Sequence, residues 1–187
     1  SLGLVGSEMC IRDSRNTDPI GQAMTVTYTV DVRPAYYQIL SGDVLNDIQG
    51  TINISDASEI FTRGVSMNGP ATGGWVTWGA TLDGTAANKM HDDGTHGDAV
   101  AGDSIYTVQF DYEATQTIGQ EFKFGIGGGD NESGYGLNHI ENIDVTSGTV
   151  ASYWGSINPN KYDAWNFDTN TPNISLNDPV NVTFRVN

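Results

Sequence analysis

Four aspartates crowd into one short stretch, Asp92, Asp93, Asp98 and Asp103, and Gly94, Gly97 and Gly102 are interspersed among them. Carboxylates this close repel one another unless water, backbone N–H groups or a bound cation offsets the repulsion. A hard cation such as calcium takes several oxygen ligands at roughly 2.3–2.6 Å, which Asp carboxylates and loop carbonyls can supply. The glycines let the backbone reach φ > 0 and turn the acidic side chains toward one point. The chemistry this stretch suggests is therefore a structural calcium site on Asp92, Asp93, Asp98 and Asp103. It is not an EF-hand, because Gly94 and Gly97 break the D-x-[DN]-x-[DN]-G spacing and no Glu closes the loop. The alternative is a solvated turn whose Asp side chains cap backbone N–H groups. His91 and His96 flank the aspartates, and His with Asp also suits zinc.

A second set of residues is aromatic. Trp75 and Trp78 stand three apart in Trp75-Val76-Thr77-Trp78-Gly79-Ala80-Thr81-Leu82, which reads as a strand. On a strand they face opposite sides of the sheet, so one can fill the core while the other offers a flat apolar face to a sugar ring. Burial of both is the competing reading. Tyr153, Trp154, Tyr162 and Trp165 either line a further platform or staple a long irregular segment to the body of the protein.

Nothing in the chain resembles a catalytic motif. There is no nucleophile elbow, and Gly127-Gly128-Gly129 precedes Asp130-Asn131 without the Lys-Ser/Thr of a phosphate loop. The 187 residues carry a formal net charge of −15 and only eight Lys and Arg. That balance argues against nucleic acid and against anionic membrane surfaces as partners. No apolar run approaches the ~20 residues that span a bilayer.

The elements that must position these residues read as short strands. Met24-Thr25-Val26-Thr27-Tyr28-Thr29-Val30-Asp31-Val32 alternates with period two, placing Val26, Tyr28, Val30 and Val32 on one face. Pro34 closes it. Residues 36–45 fit a short helix or a strand. Further strands are expected at 50–55, 59–65, 75–82, 105–112, 119–126 and 139–145, separated by Gly, Pro and Asn turns. Residues 146–178 read as irregular chain with at most a short strand. No segment longer than about ten residues shows a 3.6-residue period. Many short strands with regular turn signals predict an all-β protein, an antiparallel sandwich or barrel.

Both ends call for separate treatment. Residues 1–14 resemble a translated sequencing-adapter peptide, and they hold the only cysteine, Cys10. Setting them aside leaves no disulfide framework and no thiolate metal site. They also lack the basic and apolar regions of a signal peptide. Residues 15–23 read as a linker and 24–178 as the module. Val182-Thr183-Phe184-Arg185-Val186-Asn187 repeats the pattern of Val26-Thr27-Tyr28-Thr29-Val30-Asp31. It is either the first strand of a following module, at 179–187, or the last strand of this one.

In order and spacing, residues 24–145 resemble a tandem module of secreted bacterial proteins, related to starch-binding carbohydrate-binding modules. The resemblance rests on the Val26–Asp31 opening strand and a loose Gly64, Asn68, Trp75 corner. It continues through the acidic turn before Tyr106-Thr107, the Phe122-Lys123-Phe124 strand, and Glu132 followed by Asn138-His139. It implies an immunoglobulin-like β-sandwich in a larger secreted or cell-surface protein, followed by further modules. It also implies non-catalytic glycan binding by Trp75 or Trp78 with Lys123. The family's second tryptophan, just before the Glu, falls on Asn131 here. The expectation from a different class is a structural spacer or adhesion module rigidified by a calcium loop.

Overall fold

The computed structural model describes residues 15–157. Among these residues, six strands form two three-stranded sheets. One has the order β3 (Ile105–Tyr112), β1 (Met24–Asp31), β6 (Thr149–Tyr153), and the other β2 (Val65–Asn68), β4 (Gly119–Ile126), β5 (His139–Asn142). Three helices, α1 (Arg33–Leu40), α2 (Glu59–Arg63) and α3 (Ala80–Asp83), are short insertions between strands. The β-rich reading therefore holds. β1 pairs antiparallel with β3, placing Tyr28 opposite Val108 and Val30 opposite Tyr106. Its other edge pairs in parallel with β6, from Thr27 opposite Thr149 to Asp31 opposite Tyr153, so the pairing is not antiparallel throughout. β4 is central in the second sheet, antiparallel to both β2 and β5.

The alternation in β1 does what period two requires. Val26, Tyr28 and Val30 are buried, while Thr25 is exposed and Thr27 and Thr29 are half-buried. These side chains share one core cluster with Met67 of β2 and Phe122, Phe124 and Ile126 of β4. The Tyr28 ring meets the Phe122 ring edge-on at 5.3 Å, so the two sheets touch through an aromatic contact. Burial would strand the Tyr28 hydroxyl. Instead it bonds the Tyr112 hydroxyl at 2.7 Å, and Tyr112 donates onward to the Ala71 carbonyl at 2.6 Å.

Several expected strands are something else. Residues 59–63 are helical, closed by Gly64 at φ 74° and backed by a Glu59–Arg63 ion pair one turn apart, and only Val65–Asn68 is strand. Of the two alternatives open for residues 36–45, the helix is found, at residues 33–40, with Pro34 in the first turn, where its missing N–H costs nothing. Residues 50–55 contribute a single bridge, Leu45 to Ile54. Residues 75–82 are not a strand. They are a loop running into α3, because Gly69, Gly73, Gly74 and Gly79 all take positive φ and turn the chain repeatedly. Residues 16–21 pack against the β3–β4 connection, where Ile20 is buried and Pro19 bridges Thr117. Residues 1–14 and 158–187, with Tyr162, Trp165 and the repeated Val182–Asn187 pattern, lie outside the described residues.

Candidate functional site

The tryptophan loop is held by one side chain. The fully buried Asn68 carboxamide, at the end of β2, accepts from the Val76 N–H at 2.8 Å and donates to the Val76 carbonyl at 2.9 Å. It thus supplies to Val76 the pair of bonds a neighbouring strand would supply. Glycines supply the floor. A Cβ at Gly125 would collide with the Gly129 carbonyl and come 2.8 Å from the Trp78 ring. A Cβ at Gly69 would lie 2.9 Å from the Phe122 Cα and 3.3 Å from the Trp75 ring. The Gly127–Gly129 turn, unremarkable as a phosphate motif, is what the Trp78 loop rests on: Gly79 N–H donates to the Gly128 carbonyl at 2.7 Å.

With no strand to separate them, Trp75 and Trp78 do not face opposite sides of a sheet. Their rings lie 6.3 Å apart, tilted by 43°. Trp75 is 47% exposed and Trp78 is half-buried. Together with Gln49, Lys123, Asp130, Tyr135 and Asn138 they line a surface cleft of about 490 Å³. Tyr135, at 82% exposure, was not anticipated, and an aromatic among glycines in Gly134-Tyr135-Gly136 was its only signal. Asn131, at the position of the missing second tryptophan, is buried. Its amide accepts from Ile126 N–H and donates to the Ile52 and Ile126 carbonyls.

Lys123 belongs to the cleft, with its ammonium 6.0 Å from the Trp78 ring centroid. The side chain is almost wholly buried and pairs with an equally buried Asp130. It also donates to the Ser133 carbonyl at 3.0 Å and the Gly134 carbonyl at 3.2 Å. Two of the three ammonium protons go to those carbonyls, and Asp130 is met as an ion pair. Asp130 is completed by the Gln49 amide at 2.5 Å. The Asn138 amide donates to Glu121 at 2.8 Å. The Gln49 and Asn138 amides line the cleft with the indoles, so it combines an apolar face with polar side chains.

Behind β4 lies a buried acid–base pair. Glu132 accepts from His139 Nε2 at 2.8 Å, from the Phe124 N–H at 2.8 Å and from the Gly155 N–H at 3.0 Å. It joins β4, β5 and the turn after β6. His139 stacks on Phe122 at 5.1 Å. Burial pulls its pKa down, but the charge and hydrogen bond of Glu132 outweigh burial and push it up to about 9.

The acidic loop divides in two. Asp92, Asp98 and Asp103 bring carboxylate oxygens within 4.8 Å of one another, a group that could hold a metal ion. Asp93 is not among them. It sits with His91 and His96, contrary to the single four-aspartate set expected. Backbone donors already serve the first group. Asp92 accepts from Gly102, Asp103 and Ser104 N–H at 2.7, 3.1 and 3.0 Å. Asp98 accepts from Gly94 N–H at 2.7 Å, and Asp103 from Ile105 N–H at 2.9 Å. Desolvation raises the Asp92 pKa against those bonds.

No described helix is long and apolar enough to cross a membrane. Compared with known proteins, the chain matches no family model, no curated sequence and no solved structure.

Proposed function

We propose that this chain is a non-catalytic glycan-binding module, with an immunoglobulin-like β-sandwich fold, from a larger secreted or cell-surface protein. One observation carries the reading: Trp75 is half exposed beside Trp78 over a cleft whose remaining lining mixes Tyr135 with the polar Gln49, Asp130 and Asn138. Sugar rings stack their C–H faces on such indoles while amide oxygens take their hydroxyl protons. Lys123 acts from beneath, as a neutralised support for Asp130 and Trp78. The sandwich reading is supported by the single core shared between the two sheets. Affinity electrophoresis in gels cast with neutral polysaccharides tests it. Retarded migration that Trp75→Ala abolishes is the expected result. Equal migration of both proteins in every polysaccharide overturns it.

The second reading is a spacer or adhesion module whose acidic loop is rigidified by calcium. The observation favouring it is the convergence of Asp92, Asp98 and Asp103. A ligand that binds only the folded state raises the melting temperature by mass action. Calcium should therefore raise Tm and a chelator reverse it, and a Tm indifferent to both removes the reading.

A further inference from the structure

The part of the acidic loop that does not join the oxygen cluster has a different chemistry. His91 is fixed to β3 by paired backbone bonds with Thr107, each 2.8 Å. His96 sits at the tip of the loop at φ 54°, between Gly94 at φ 76° and Gly97 at φ 88°. These positive-φ residues turn the tip back, and the two imidazoles stack at 3.8 Å with their planes 14° apart. One ring nitrogen of each and one Asp93 oxygen all lie within 4.8 Å of one another. We propose that His91, Asp93 and His96 form a surface site for a borderline transition-metal dication of the zinc class.

Three features support this beyond proximity. The first is tautomer control. Thr95 Oγ1 lies 2.5 Å from Asp93 Oδ1 and 2.7 Å from His96 Nδ1. An ionised carboxylate only accepts, so the Thr95 proton goes to Asp93 and the hydroxyl oxygen must accept from His96. The His96 proton is thus on Nδ1, and Nε2 carries the free lone pair. A partner that fixes the protonated nitrogen and frees the other is what a ligating His ordinarily has. The second is bite. His91 Nδ1 and Asp93 Oδ2 are 3.6 Å apart, too long for a hydrogen bond. Two ligands at ~2.1 Å on a tetrahedral centre stand roughly 3.4 Å apart. The third is access. Asp93 and His96 are exposed, and both imidazoles line a groove of about 650 Å³ shared with Lys89, Gln109 and Asp111, so solvent and ions reach the two rings.

Lone pairs lie in the ring planes, and planes stacked nearly parallel cannot both meet one ion, so a shared ion requires one ring to tilt. His96 is exposed and can do so. Imidazole selects zinc, copper or nickel, while the oxygen-only Asp92, Asp98 and Asp103 group suits harder cations. One loop thus offers two sites sorted by hardness.

The test is calorimetric titration of the full chain carrying Cys10→Ser, with Zn²⁺ and separately Ni²⁺, in excess Ca²⁺. One saturable site is expected. His91→Ala and His96→Ala should each weaken it at least about tenfold. Thr95→Val, which leaves all three ligands, should weaken it about 10–100-fold. Asp43→Asn, an exposed acid outside this loop, should leave it unchanged. The absence of saturable binding tighter than about 1 mM overturns the proposal, as does binding that survives the His91→Ala/His96→Ala double change. His96→Ala alters an exposed tip, so it carries the test even if His91→Ala does not fold.

Discussion

The Asn68 carboxamide takes both backbone hydrogen bonds of Val76, and with them the placement of Trp75 and Trp78. Removing it leaves the Val76 N–H and C=O, both in a partly buried setting, without their side-chain partner. Each unsatisfied group costs about 1–3 kcal/mol. Asn68→Ala should therefore destabilise the fold by about 2–4 kcal/mol in urea denaturation. Asn68→Asp keeps the acceptor toward Val76 N–H but sets a carboxylate against the Val76 carbonyl, so it should cost at least as much. An Asn68→Ala protein as stable as the parent would mean that the loop is held elsewhere.

Gly125 makes room for the Trp78 ring from below. A methyl group there meets the Gly129 carbonyl as well as the indole, and a carbonyl in a tight turn cannot yield as a flexible side chain can. Gly125→Ala should expose Trp78, shift tryptophan emission to the red and lower Tm by several degrees. Gly73, at φ 97°, has open space around its Cβ position. Gly73→Ala should show only the backbone cost of a left-handed residue, about 1 kcal/mol, with no change in emission.

Lys123 and Asp130 are a buried ion pair, and such pairs respond unequally to single and double changes. Removing one partner leaves an uncompensated buried charge, at about 3–5 kcal/mol, whereas a shape-matched apolar replacement of both is often near neutral. Lys123→Met alone should unfold or severely destabilise the protein. Lys123→Met with Asp130→Leu should recover much of the loss. Loss of glycan binding in Lys123→Met alone would therefore say nothing about direct contact. A folded double variant that still binds would place Lys123 in support of the cleft and outside the contact surface.

The contrast between what could and could not be read from the chain follows contact range. β1 and β3 were legible because alternation is local: Val26, Tyr28 and Val30 announce a buried face whatever they pack on. The 75–82 segment was misread because Trp, Val and Thr look like strand, while the four positive-φ glycines that break it lie partly upstream. Helix α2 has five residues, too few to display a period. β6 gains its identity from a parallel partner more than a hundred residues away, and no local pattern reports that. At the site, the two tryptophans were visible as residues, but their shared cleft was not. It depends on Asn68, Gly125 and Asp130, whose roles exist only in three dimensions. The acidic loop was legible as a cluster. Its division into two ligand groups rests on which carboxylate the backbone N–H groups of residues 102–104 claim.

The His139–Glu132 pair predicts a pH dependence with a definite sign. Burial disfavours the imidazolium, yet the net pKa stands at about 9 because Glu132, with help from Glu141 at 3.9 Å from Nδ1, faces the ring. Both partners are fully enclosed. A histidine whose folded pKa lies above its unfolded value near 6.5 binds its proton more tightly in the folded state. The stabilisation is complete below about pH 6.5 and is lost progressively as pH rises through about 9. The expected loss across that window is on the order of 3 kcal/mol. Chemical denaturation at a series of pH values should thus show stability declining between pH 6.5 and 9, and His139→Gln should flatten that slope while lowering stability at neutral pH. Because Glu132 also holds Phe124 N–H and Gly155 N–H, Glu132→Gln should abolish the same slope and loosen the turn after β6, seen as faster amide exchange at Gly155. A parent protein whose stability is flat or rising across the window would mean that His139 is neutral in the fold, its Nε2–H donating to Glu132 without an imidazolium charge.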